Sequence, residues 1–272
     1  MKKISVLIVL LCSVIYYAQT KRFVYNYKFV PDSTQTQNTI SEVMFLDIHE
    51  GVSEFYGYEK FRSDSLMAEE LKRGLASPPP MKEFISYRIV KKNQDVESFN
   101  PLSSNLYKVK DKRPIHWKLH PEYVTILNYK AQKASAEFAG RKWEAWFTPD
   151  ITIQDGPYKF RGLPGLILRI KDRTNSHSFE LTAIQNLPKN PEYPFVKNFA
   201  RQFDVDGKQY YKIFRNYRES PAADLIGKIP DYKDAAGNLV SGQQKVREIE
   251  KMMKEKFKSD NNILELDLLQ AK

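Results

Sequence analysis

Cysteine is nearly absent from this 272-residue chain: its single example, Cys12, sits inside an apolar N-terminal stretch. A disulfide framework, a cysteine metal cluster and a thiol nucleophile are therefore excluded for the rest of the chain. No apolar run reaches the ~20 residues that a membrane-spanning helix needs. No run of five like charges and no alternation of stacked aromatic and basic residues occurs, which argues against nucleic acid as a partner. Two further motifs are missing, a Gly-x-Ser-x-Gly elbow and a phosphate-cradling Gly-x-x-x-x-Gly-Lys loop, so the usual signatures of acyl transfer and nucleotide hydrolysis are lacking. No cofactor is expected.

What the N-terminus does have is Lys2 and Lys3 followed by the twelve apolar or small residues Ile4 to Ile15, closed by Tyr16-Tyr17-Ala18. A signal-peptide core needs ~7–15 apolar residues. Residues 1–18 therefore read as a cleavable signal, with a single β-rich domain over 19–272. Acylation of Cys12 is disfavoured, because Leu11 stands where a small residue belongs. Lys plus Arg number 43 against 33 Asp plus Glu; without Lys2 and Lys3 the balance is 41 against 33, or +8. A mixed, moderately basic surface of this kind suits an exported protein of the periplasm or outer membrane, with peripheral contact to phosphate-bearing lipids.

Short stretches of period two dominate the first two thirds. Phe23, Tyr25, Tyr27 and Phe29 alternate with polar residues, Met44, Leu46 and Ile48 oppose Val43, Phe45 and Asp47, and aromatic residues recur from Phe55 to Phe61. A helix is expected over 64–72, stopped by Gly74 and Pro78-Pro79-Pro80. Strands resume over 84–90, 106–109, 115–119 and 123–127. Two hairpins are the clearest local signals. Ala134, Ala136 and Phe138 turn at Gly140 into Trp143, Ala145 and Phe147; Leu166, Leu168 and Ile170 turn through 172–176 into Phe179, Leu181 and Ala183. Helical character is expected over about 195–260, with one helix near 210–217 behind Asp206. A second covers 243–258 behind Ser241, where Val246, Ile249, Met253 and Phe257 recur at helical spacing. The fold class that follows is α+β and β-dominated, a curved antiparallel sheet with helices packed on one face.

The most distinctive stretch is Trp143-Glu144-Ala145-Trp146-Phe147-Thr148, followed by Gly156-Pro157-Tyr158-Lys159-Phe160-Arg161-Gly162-Leu163-Pro164-Gly165-Leu166-Ile167. Residues 162–167 match letter for letter the signature of the GLPGLI family, and residues 141–172 resemble that family's core. The resemblance implies an exported bacterial protein without an established activity, and it carries over no catalytic residue. Physically, Pro164-Gly165 suits the central positions of a type II turn, which would shape a sheet corner. The loop before it offers Tyr158, Lys159 and Arg161, with Trp146 nearby, as the lip of a ligand cleft.

His116 and His120 fall on one face of an extended segment, but ~13 Å apart along a strand, which is far for a shared metal ion. His49 and His177 are isolated polar residues. Asp204-Val205-Asp206-Gly207 lacks the later oxygen ligands of a calcium loop and reads as a turn and cap. Asp150 and Asp155 flank a loop without indicating acid or base roles. The leading expectation is a non-enzymatic envelope protein that holds an apolar or amphiphilic ligand or docks an outer-membrane protein. The competing ones are a metal-assisted hydrolase using His116 and His120, and a purely structural envelope component.

Overall fold

A computed structural model describes residues 20–75, 85–189, 191–194 and 201–270. The signal segment 1–18 and the helix stop at Pro78-Pro79-Pro80 lie outside these residues. Twelve strands form one open sheet: β1 (Thr20–Phe29), β2 (Ile40–His49), β3 (Val52–Gly57), β4 (Arg88–Lys92), β5 (Asp95–Leu102), β6 (Asn105–Asp111), β7 (Lys118–Ile126), β8 (Tyr129–Phe138), β9 (Arg141–Thr148), β10 (Leu166–Asp172), β11 (His177–Leu187) and β12 (Arg201–Asp206). Their order across the sheet is β12-β6-β5-β4-β3-β2-β1-β11-β10-β9-β8-β7. Two meanders of sequence neighbours are thus sewn together where β1 pairs with β11.

The fold class is the β-dominated α+β arrangement expected. All pairings in this sheet are antiparallel except that of β12 with β6, which makes the sheet mixed. Residues 201–206, inside the part expected to be largely helical and with 204–207 read as a turn and cap, are this strand β12. Alternation explains the core. Phe23, Tyr25 and Tyr27 of β1, Met44 and Leu46 of β2, and Phe179 and Leu181 of β11 are buried, while Arg22, Asn26 and Lys28 fall on the other phase of β1. Tyr27 lies directly opposite Phe179 in register, and the two rings stack at 4.1 Å. Such cross-strand aromatic pairs contribute a few tenths to about 1 kcal/mol each. On β10 simple alternation breaks down: a bulge between Ile167 and Arg169 sets Ile167 against Phe147, so Leu166, Ile167, Leu168 and Ile170 are all buried.

Both hairpins form as expected, β8–β9 and β10–β11. The two expected strands around Pro121 are one strand, β7, with an irregularity between Leu119 and Tyr123 that accommodates the proline. Helix α1 (Tyr58–Lys72) starts six residues earlier than its sequence suggests and takes in Tyr58 to Phe61. The cause is tertiary: Phe61 packs on Tyr56 at 5.3 Å, and Tyr56 points to the face opposite Phe55 and the core.

Helix α2 (Gly207–Glu219) begins with a reciprocal capping box. Asp206 accepts from the Gln209 backbone while the Gln209 side chain accepts from the Asp206 backbone. Helix α3 (Gly242–Ser259) is capped by Ser241, which accepts from Gln244 N–H. A short hairpin, Tyr232–Lys233 with Leu239–Val240, separates the two helices. Among the described residues no helix is long and apolar enough to cross a membrane.

Candidate functional site

Between the core face of the sheet, α2, α3 and the segment following α3 lies a cavity of about 360 Å³, in the lower part of the ~300–1,000 Å³ range of small-molecule sites. The sheet side contributes Tyr27, Phe29, Tyr87 and Tyr158. The helices contribute Tyr210, Phe214, Tyr217 and Phe257. Amphipathicity puts these rings there: Tyr210, Phe214 and Tyr217 recur at four- and three-residue spacing on α2, as do Met253 and Phe257 on α3.

Besides Lys256 and the Arg218–Asp260 pair on the helix side, charge enters this apolar space from one buried cluster. Lys159 Nζ donates to Glu265 Oε1 at 2.5 Å and to Asp111 Oδ2 at 2.9 Å, with all three side chains under 10% exposed. Arg113 donates to Asp111, to Glu265 at 2.8 Å and to Asp267 at 3.0 Å. The Tyr158 hydroxyl donates to Glu265. Burial pushes the Glu265 carboxyl up, but the Lys159 and Arg113 cations outweigh it and hold the group below the usual glutamate range. Asp111 is lowered by the same balance, its burial opposed by Arg113 and Lys159. Burial, reinforced by Glu265, raises the Tyr158 phenol well above its ordinary value.

A second buried network ties the chain's end to the sheet. Arg141 donates to the carbonyls of Leu264 (3.1 Å) and Ile263 (2.6 Å), to Asn262 Oδ1 (2.6 Å) and to Asp172 (3.1 Å). His177, which also lines the cavity, bonds Asn262 O through Nε2 at 2.8 Å and the Tyr27 hydroxyl through Nδ1 at 2.6 Å. A carbonyl can only accept, so Nε2 carries the proton and Nδ1 accepts from Tyr27. Burial and the neighbouring Arg141 cation push His177 down to about 4, so the ring is neutral near pH 7.

The loop that supplies Tyr158 and Lys159 is fixed from below. Buried Lys91 donates to the carbonyls of Gly156 (2.7 Å) and Tyr158 (3.0 Å) and pairs with Asp155. Tyr158 takes a left-handed φ of 53°, a conformation a non-glycine residue holds only when its surroundings fix it. At its far end the loop does not close as a type II turn. Leu166 N–H donates to Ile151 O instead of to Leu163, and Gly165 N–H donates to Leu163. Gly165 is required for another reason: a Cβ there would lie 1.9 Å from Thr148 O, and its φ is +142°.

The four residues expected at a cleft lip separate. Tyr158 and Lys159 are buried in the cavity wall, not at an exposed rim. Arg161 points elsewhere and donates to Asn93 O and Gln94. Trp146 lies on the phase opposite Trp143 and Phe147, between Lys133 and Arg169. His116 is exposed and precedes β7, whereas His120 on β7 bonds Ser135 Oγ at 2.7 Å. Among the described residues no group of three or more His, Cys, Asp or Glu side chains is arranged to hold a metal ion. Asp111, Arg113, Arg141 and Glu265 carried no local sequence signal. Only the fold brings them together.

Residues 137–169, which run from the end of β8 through β9 and this loop into β10, match a family described as "Protein of unknown function (Porph_ging)". No curated protein matches the chain. Among solved structures, PNGF-II in the P21 and C2 space groups is similar with a TM-score of 0.51 and 17% identity, over 74% of this chain and 34% of that chain. An uncharacterized conserved protein from Thermus thermophilus gives a TM-score of 0.37 and 8% identity, over 70% of this chain and 92% of that one. The likeness to PNGF-II is one of fold, and this chain spans about a third of its length.

Proposed function

We propose that this chain is an exported cell-envelope protein of the GLPGLI family that holds an apolar or amphiphilic ligand in the aromatic cavity between its sheet and helices, without catalysing a reaction. Export rests on Lys2, Lys3 and the apolar stretch 4–15, with residues 19–272 acting as one domain on the periplasmic side or at the outer membrane. The family reading rests on residues 162–167, inside the segment matched to a family of unknown function.

The observation that carries the binding reading is the chemistry of the cavity wall. Aromatic rings line it from both sides, and of the charged groups that reach it Lys159, Glu265, Arg218 and Asp260 are engaged in ion pairs with one another or with Asp111 and Arg113, while Lys256, on α3, is exposed to solvent. Mutually neutralised charges in an apolar wall suit retention of an apolar body better than proton transfer, which needs a group poised to change its charge. The test is titration of the mature chain with the neutral fluorophore N-phenyl-1-naphthylamine. One saturable site per chain is expected, lost when Met253→Trp fills the cavity in a variant that keeps its circular dichroism. Absence of saturable binding, or full binding by the folded Met253→Trp variant, contradicts the reading.

A further inference from the structure

We propose that the solvent face of α3, with the short hairpin that precedes it, is a docking surface for a lipid bilayer carrying anionic headgroups. Arg247, Lys251, Lys254 and Lys258 stand at positions i, i+4, i+7 and i+11, which at 3.6 residues per turn fall in one stripe. All four are exposed. Glu250 pairs with Lys254 at 2.6 Å and Glu255 with Lys258 at 2.8 Å, while Arg247 and Lys251 have no ion-pair partner among the described residues. Counting the whole helix, six basic side chains face three acidic ones.

Charge alone describes many solvated helices, and a second observation points to lipid. Ile226 and Leu239, at 70% and 72% exposure, are the two most exposed large apolar side chains among the described residues. Both belong to the segment packed on the N-terminal end of α3. Gly242 N–H donates to Asp231, and a Cβ on Gly242 would lie 1.8 Å from Ile229 O. Exposed aliphatic groups on the segment that leads into a helix with a basic stripe supply the two parts of an interface, with apolar side chains entering the acyl boundary and cations meeting the headgroup phosphates. The other side of α3 carries Met253 and Phe257 in the cavity wall, so docking would set that cavity beside the bilayer. The docking itself is independent of what the cavity holds.

The experiment is co-sedimentation of the mature chain, without added ligand, with phosphatidylcholine vesicles and with vesicles containing one quarter phosphatidylglycerol, at 50 and 500 mM NaCl. Binding is expected to the anionic vesicles only, and to be largely lost at high salt. Each basic residue near an anionic surface contributes about fivefold, so Arg247→Gln/Lys251→Gln should weaken partitioning roughly thirty-fold. Ile226→Ser/Leu239→Ser should weaken it as well. Lys118→Gln/Lys142→Gln, which removes the same charge from exposed positions on β7 and β9, should leave it within about twofold. Equal binding to neutral vesicles, an undiminished Arg247→Gln/Lys251→Gln variant, or an equal loss in Lys118→Gln/Lys142→Gln overturns the proposal.

Discussion

Replacing Lys159 by Met tests whether the buried cluster beneath the cavity is a coupled unit. The methylene stem would still fill its space, but Asp111 and Glu265 would be left sharing Arg113 as their only remaining cation in the cluster. Breaking a buried pair by removing one partner costs about 3–5 kcal/mol, because a desolvated charge stays behind. Arg113 partly compensates, so the lower end, about 3 kcal/mol, is the expected loss at pH 7, measured as the shift of the urea midpoint at unchanged slope. Glu265→Gln in the same background should recover at least ~1 kcal/mol, since it removes the stranded charge.

The pH dependence fixes the sign of this effect. Glu265 and Asp111 are held below their ordinary values in the folded chain, so their stabilisation is complete above the unfolded values near 4.5 and 3.8. It is lost as pH falls through the lower folded values. The gap between the parent chain and Lys159→Met should therefore be widest near neutral pH and narrow below about 4. A loss under about 1 kcal/mol at pH 7, or strictly additive effects of the two substitutions, would refute the coupled cluster.

Three other outcomes follow from the same geometry. His177 is held near 4 in the folded chain against 6.5 unfolded, so stability it contributes is complete above pH 6.5 and lost as pH falls toward 4; urea midpoints of the parent and His177→Gln should diverge by roughly 3 kcal/mol more at pH 7.5 than at pH 4. Gly165→Ala should lower stability by about 3 kcal/mol in thermal unfolding, because its Cβ meets the Thr148 carbonyl, whereas Gly162→Ala, with φ +88° and open space around it, should cost only about 1 kcal/mol. Arg141→Met should speed hydrogen exchange across 262–268 at least tenfold, since it removes three of the hydrogen bonds that hold 262–264 to β9 and leaves Asp172 without its guanidinium.

The elements whose determinants are local were legible in the sequence. The β8–β9 and β10–β11 hairpins are written in alternation and turn residues, and α2 and α3 announce themselves through Asp206 and Ser241. β12 was hidden because its pairing partner, β6, lies almost a hundred residues earlier and its own six residues are polar on alternate positions in a stretch that reads as the approach to a helix. The start of α1 was misplaced because the contact of Phe61 with Tyr56 overrides local strand preference. At the site, Tyr158 and Lys159 stood out, but their surroundings did not. A lysine in a polar-looking loop is by default a surface residue, and only the arrival of Asp111 and Glu265 from distant parts of the chain lets it be buried. Trp146 and Arg161 stand out for the same composition and sit elsewhere: one step along β9 reverses the face that Trp146 occupies, and Arg161, in the loop, is held by Asn93 O and Gln94.

Native mass spectrometry of residues 19–272, purified from a periplasmic preparation without added lipid or metal, tests the central claim most directly. The binding-protein account predicts a co-purifying adduct of lipid or small-molecule size at one per chain, absent from the Met253→Trp variant. A bare chain that also fails to retain added apolar probes would contradict it, and a stoichiometric metal ion lost on replacing His116 and His120 would put the hydrolase reading in its place.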